Sequence, residues 1–170
     1  MRACPAGPAI PSSSNVAALV DGSVPYVIVG GVAVVLHGVD RLTADLDVVV
    51  SLEHPSLTAT LEKLEGIGYR PRAPVAFADF ADPEKRRLWR DEKQMRVFSL
   101  WGPGNCLPVL DLFVEFPLDM DRLLANAQTV RLQGVDATIA SVEDLVSIKR
   151  ATGRPRDLAD VEALNARREN

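Results

Sequence analysis

This chain offers little material for thiol, membrane or electrostatic-coat functions. It carries 2 cysteines in 170 residues. Cys4 and Cys106 sit in no spacing that binds zinc or forms a redox pair, and such sparse cysteine points to a reducing compartment. No apolar run approaches the roughly 20 residues that span a bilayer. The opening segment MRACPAGPAIPSSSN has no long apolar stretch and does not read as a secretory signal. Its Pro, Gly and Ser content predicts a flexible tail over residues 1–14. A cytoplasmic protein with no membrane partner is expected. A basic excess is also missing: the formal net charge of −4 argues against a globally basic nucleic-acid coat. There is no internal repeat, and Gly30-Gly31-Val32-Ala33 lacks the G-x-G-x-x-G spacing of a dinucleotide fold.

What remains is an ordinary globular composition, 47% apolar and 25% charged, long enough for one domain over residues 15–170. The pattern alternates strands and helices and becomes more helical from about residue 141, an α/β (α+β) arrangement with a mixed sheet flanked by helices. Its centre is Tyr26–Val50. Tyr26–Val29 reads as a buried strand, Gly31–Leu36 as a helix stopped at Gly38, and Asp45–Ser51 as a second strand. Leu107–Phe116 is a further apolar strand and Arg96–Trp101 another, joined by a turn at Gly102-Pro103-Gly104-Asn105. A hairpin is expected at Gln133-Gly134, a capped helix from Ser141 through Lys149, and a last helix from Pro155. Residues 71–93, broken by Pro71, Pro74 and Pro83, read as a long loop with a single helical turn.

The chemistry concentrates in carboxylates. Asp45 and Asp47 flank Leu46 on a strand, so both project from one face while Leu46 enters the core. Like charges held side by side usually bracket a cation. Asp111, inside Val109-Leu110-Asp111-Leu112-Phe113, is costly to bury unless paired with an Arg or bound to a cation. If its strand lies beside that of Asp45, three carboxylates converge. Such a cluster suits two Mg²⁺ ions, with Mn²⁺ as an alternative, bridging nucleotide phosphates. Gly30-Gly31 either permits tight strand-to-helix packing or offers backbone N–H groups to phosphate. Arg41 and Thr43 are ordinary loop residues or nucleotide contacts, and Lys149 is a solvated helix residue or a phosphate contact. His37 reads as a helix-end residue. The basic run Lys85–Arg96 is a charged exposed segment or an acceptor contact, and its Trp89 a candidate for stacking a base.

Strand, Gly-Gly, thirteen intervening residues, Asp-x-Asp and a later strand Asp together resemble the DNA polymerase beta-like nucleotidyltransferase superfamily. Gly30-Gly31-Val32-Ala33 through His37-Gly38, Arg41, Thr43, Asp45 and Asp47 is similar to a narrower branch. That branch is the bacterial nucleotidyltransferases of abortive-infection and type IV toxin–antitoxin systems, with their minimal relatives. The run Ser141–Lys149, then Arg154, Arg156, Asp157 and Asp160, is similar to it too. The resemblance implies a nucleotidyltransferase fold and Mg²⁺-dependent transfer of an NMP from an NTP to an acceptor hydroxyl. The acceptor would be a tRNA 3′ end or a partner toxin or antitoxin protein. It implies metal binding and catalysis at Asp45, Asp47 and Asp111, and nucleotide binding at Gly30, Gly31, Arg41, Thr43 and Lys149, with Arg154–Asp160 supporting the site. The alternative is a non-catalytic antitoxin-like module that binds a nucleotide or partner on the same fold. An aspartyl phosphatase is disfavoured because its apolar strand precedes the Asp-x-Asp, whereas Val48-Val49-Val50 follows it here.

Overall fold

Alternation along Asp45–Val50 sets the architecture: Leu46, Val48 and Val50 are buried, while Asp45 is exposed and Asp47 half-buried. A computed structural model describes residues 13–103 and 106–168. In chain order the elements are α1 (Ser13–Gly22), β1 (Tyr26–Ile28), α2 (Gly30–Leu36), β2 (Asp45–Val50), α3 (Leu57–Gly66) and β3 (Arg70–Pro71). There follow α4 (Phe77–Ala81), α5 (Pro83–Lys93), β4 (Val97–Gly102), β5 (Cys106–Phe113) and α6 (Met120–Asn126). The chain continues through β6 (Gln128–Leu132), β7 (Val135–Ile139), α7 (Val142–Thr152) and α8 (Pro155–Arg168). The strands form one seven-stranded mixed sheet, in the order β3-β4-β5-β2-β1-β7-β6. β2 and β5 run parallel, as do β1 and β7, and the other neighbours are antiparallel. No described helix is long and apolar enough to cross a membrane. The expected tail lies outside the described residues up to residue 12, as do Cys4 and the Gly104-Asn105 half of the expected turn.

Local chemistry accounts for the element ends. Ser141 caps α7, its hydroxyl accepting from the Asp144 N–H at 3.1 Å, and Gly153 closes it with a φ of 64°. Gln133 and Gly134, with φ of 47° and 92°, make the β6–β7 turn. Strand bounds shift slightly: β4 starts at Val97 and β5 ends at Phe113, although the Val114 N–H still reaches the Arg96 carbonyl at 3.0 Å.

The expected loop over 71–93 is instead a short strand and two helices. Its prolines do not interrupt an element: Pro71 closes β3, Pro74 lies in the connection to α4, and Pro83 starts α5. Pro83 opens α5, where a missing N–H costs nothing, and Asp82 caps it by accepting from the Glu84 N–H at 2.9 Å. The core-facing side of α5 is made of Arg86 and Trp89, so an apolar period is hard to see. Trp89 is 3% exposed and stacks on Phe98 at 5.7 Å, and Phe98 stacks in turn on Phe80 at 5.1 Å. It therefore packs α5 on β4 and has no face free for a base. The basic run is largely neutralised by neighbouring carboxylates: Lys85 pairs with Asp79, Arg87 with Glu84, Arg90 with Asp91 and Glu115, and buried Arg86 with Glu53.

Candidate active site

The parallel pairing of β2 and β5 puts Asp47 directly beside Asp111, and Asp45 beside Val109. Phe98 and Ser99 alternate on β4, so α4 and α5 cover the Phe98 face and leave Ser99 with Asp111 on the other. The third carboxylate thus lies next to the Asp-x-Asp on the face away from that aromatic cluster.

Gly30 and Gly31 bring the end of β1 close against this pair. Gly30 has a φ of 64°, and a Cβ there would lie 2.0 Å from Asp47 Oδ2. A Cβ on Gly31 would meet Thr43 Oγ1 at 2.6 Å and the Arg41 guanidinium at 3.1 Å. The Gly31 N–H donates to the Asp47 carboxylate. In this arrangement the glycine pair seats the carboxylate and admits the Arg41–Thr43 loop. Gly30→Ala is expected to cost about 1–3 kcal/mol through left-handed strain and to displace Asp47. Gly66→Ala, at the end of α3 where a Cβ meets nothing within 4 Å, is the control and should be unchanged or slightly more stable. Urea midpoints of the two variants check this; equal midpoints would contradict the close approach.

The far wall comes from the last two helices. Lys149 is 6% exposed, not on a solvated face, and its ammonium donates to Asp160 Oδ2 at 2.6 Å and Asp157 Oδ1 at 3.2 Å. Asp160 also pairs with Arg41, so one buried carboxylate ties α8 to α7 and to the loop before β2. Arg156 donates to the Leu42 carbonyl and closes the same loop from outside. His37 ends α2, with Nε2 at 2.8 Å from the Ala140 carbonyl, and lies outside this cavity.

One cavity of about 790 Å³ is lined by all eight residues singled out from the sequence: Gly30, Gly31, Arg41, Thr43, Asp45, Asp47, Asp111 and Lys149. Burial, then the charges of Asp111 and Asp45, push the Asp47 carboxyl up to about 7. Burial also raises Asp111, against the hydrogen bond from Ser99 and the nearby Arg72 charge. Asp111 Oδ1 is buried without a hydrogen-bond partner. Among the described residues no three acidic, histidine or cysteine side chains already stand around one point in ligand geometry. Asp47 accepts from the Gly31 N–H and Asp111 from Ser99. Ser99 and Arg72 escaped the sequence reading. Ser99 carries no motif, and Arg72 falls in the segment read as loop, where its N–H bonds the Ser99 carbonyl at 2.9 Å.

The family model for a nucleotidyltransferase of unknown function, DUF6036, matches residues 14–168. The chain belongs to this nucleotidyltransferase family. Among solved structures, the lincosamide antibiotic adenylyltransferase LnuA with lincomycin bound is similar, with a TM-score of 0.56 and 17% identity, covering 91% of this chain and 96% of that one. An antigenic nucleotidyltransferase-like protein from Paracoccidioides brasiliensis aligns with a TM-score of 0.49 and 18% identity, over 91% of this chain and 78% of that one. No curated protein matches by sequence. The nucleotidyltransferase superfamily expected from the Gly-Gly and Asp-x-Asp pattern is thereby established, as is the mixed α/β fold.

Proposed function

We propose that this family member transfers an NMP from an NTP to an acceptor hydroxyl in a Mg²⁺-dependent reaction at Asp45, Asp47 and Asp111. The observation that carries the reading is the pairing of Asp47 with Asp111 on adjacent parallel strands, in a cavity that also holds Lys149 and Arg41. The donor set fits a hard divalent cation: oxygen ligands only, with a buried unpartnered oxygen on Asp111. Bound Mg²⁺ would offset triphosphate charge and favour ionisation of the acceptor hydroxyl.

The chain's own residues then have distinct tasks. Arg41, Thr43 and the ammonium of Lys149 face the β- and γ-phosphates, with Gly30 and Gly31 allowing close approach. Asp45 and Asp47 would hold the cation beside the α-phosphate. Asp111, raised by burial, orients the acceptor hydroxyl and takes its proton. A bond forms from the acceptor oxygen to the α-phosphorus, the α–β anhydride bond breaks, and pyrophosphate leaves. The single unit over residues 15–170 would work in the cytoplasm, in a toxin–antitoxin-like setting, on a tRNA 3′ end or a partner protein.

The acceptor class is tested by following α-phosphate label from each NTP, with Mg²⁺, into separated tRNA and protein fractions and onto lincomycin. Label in tRNA or protein supports the reading, and label on lincomycin alone moves the acceptor to small molecules. Tight Mg²⁺–NTP binding with no label in any fraction favours the non-catalytic binding module instead.

Asp47 also gives the metal-free protein a pH signature. Its folded-state pKa of about 7 lies above the ordinary 3.8, so the folded chain holds this proton more tightly than the unfolded one. The resulting stability is complete below 3.8 and is lost as pH rises through about 7. At about 1.4 kcal/mol per unit, partly screened, the loss is on the order of 3 kcal/mol. The melting temperature of the wild type, measured in chelator against Asp47→Asn, should fall across that window, and Mg²⁺ should restore it above neutrality. Parallel curves for the two proteins would contradict the burial of this carboxylate.

A further inference from the structure

A second cavity of about 720 Å³ opens off the first and shares Gly30, Asp47, Lys149, Arg154 and Asp157 with it. Its character is different. The polar cavity is walled by charged and loop residues, whereas this groove, rimmed by Arg96 and Glu115, is floored by Phe113 at the end of β5 and Phe116 just beyond it, facing Leu145 and Ile148 of α7. The two phenyl rings meet edge to face, with centroids 4.8 Å apart and planes at 77°. Both pack against the core but are only half-buried, and Ile148 is half-buried too, so apolar surface stays open inside the groove.

Resting on the nucleotidyl-transfer reading, we infer that this groove holds the nucleobase of the NTP, and not the acceptor. Asp111 decides the direction. Gly30, Asp47, Lys149, Arg154 and Asp157 line both cavities, so the α-phosphate at Asp47 borders the groove, while Asp111, the group that meets the acceptor hydroxyl, lines only the polar one. A nucleoside leaving the α-phosphate therefore has an apolar chamber directly ahead of it. Arg154 is exposed and makes no ion pair among the described residues, and it stands at the junction where a phosphate or ribose oxygen would pass. A flat base gains from stacking on aromatic and aliphatic side chains and needs no charged partner, which is what Phe113, Phe116 and Ile148 supply. The acceptor then approaches over Ser99 and Asp111, beside Arg72, whose guanidinium lies 4.4 Å from the Trp101 ring centroid.

Calorimetry on the full chain with Mg²⁺ compares the four NTPs with inorganic tripolyphosphate. At least one NTP should bind about tenfold tighter than tripolyphosphate, the scale of one stacked base. Ile148→Gln and, separately, Phe116→Ala should each erase most of that ratio while tripolyphosphate affinity stays within about twofold, with helical content checked by circular dichroism. Equal binding of NTP and tripolyphosphate by the wild type, or an unchanged ratio in both folded variants, overturns the groove assignment and leaves the phosphate site standing. Failure of tripolyphosphate and every NTP to bind overturns both readings.

Discussion

Asp47→Asn should abolish nucleotidyl transfer while making the metal-free protein more stable at neutral pH. The two effects have one cause. Asp47 sits against Asp111 across a parallel strand pair, and burial with two neighbouring carboxylates raises it to about 7. Removing its charge relieves that repulsion, so the variant's melting temperature should exceed the wild type's in chelator. The same change removes one ligand from the proposed cation site, and loss of a group at a transferring phosphate costs about a thousandfold or more in rate. Transfer assays and thermal melts on the same preparations test this. A variant that loses activity and stability together would point to misfolding, and one that keeps its activity would remove Asp47 from the chemistry.

Asp160→Ala should be the most destabilising single substitution among the site's polar residues. Asp160 is 6% exposed and accepts from both Lys149 and Arg41. Without it, two largely buried cations lose a shared partner, although Lys149 keeps Asp157 at 3.2 Å. Stranding a buried charge costs about 3–5 kcal/mol, a large part of the roughly 5–15 kcal/mol that holds a domain together. Leu158→Ala, on the same helix but 44% exposed, should change little. Urea unfolding of both variants decides it. A loss below about 1 kcal/mol for Asp160→Ala would mean that the cations are solvated rather than clamped.

The candidate site was legible because its residues are dictated by short-range geometry. Alternation alone placed Asp45 and Asp47 on one side of β2, and a lone Asp in an apolar strand marked Asp111. Adjacency of their strands was a condition the sequence left open, and the β2–β5 register meets it. The segment 71–93 was illegible for an equally physical reason. Pro83 sits where a helix begins and Pro71 where a two-residue strand ends, and α5 buries an arginine where an apolar residue would reveal the period. Trp89 illustrates the cost: a lone aromatic in a basic run reads as a stacking platform until Phe98 is found stacked on it, with Phe80 on Phe98 in turn. Asp160 was part of a stretch expected to support the site, but its tie to Arg41 spans 119 positions and follows from no local pattern.

The reaction class itself is tested most directly by counting products. Purified chain, Mg²⁺, an acceptor fraction and an NTP labelled at the α-phosphate should fix label on the acceptor and release one pyrophosphate per label fixed. Chelator or Asp111→Asn should suppress both together. Release of orthophosphate, fixation unaffected by chelator, or no label with any of the four NTPs would contradict transfer at Asp45, Asp47 and Asp111.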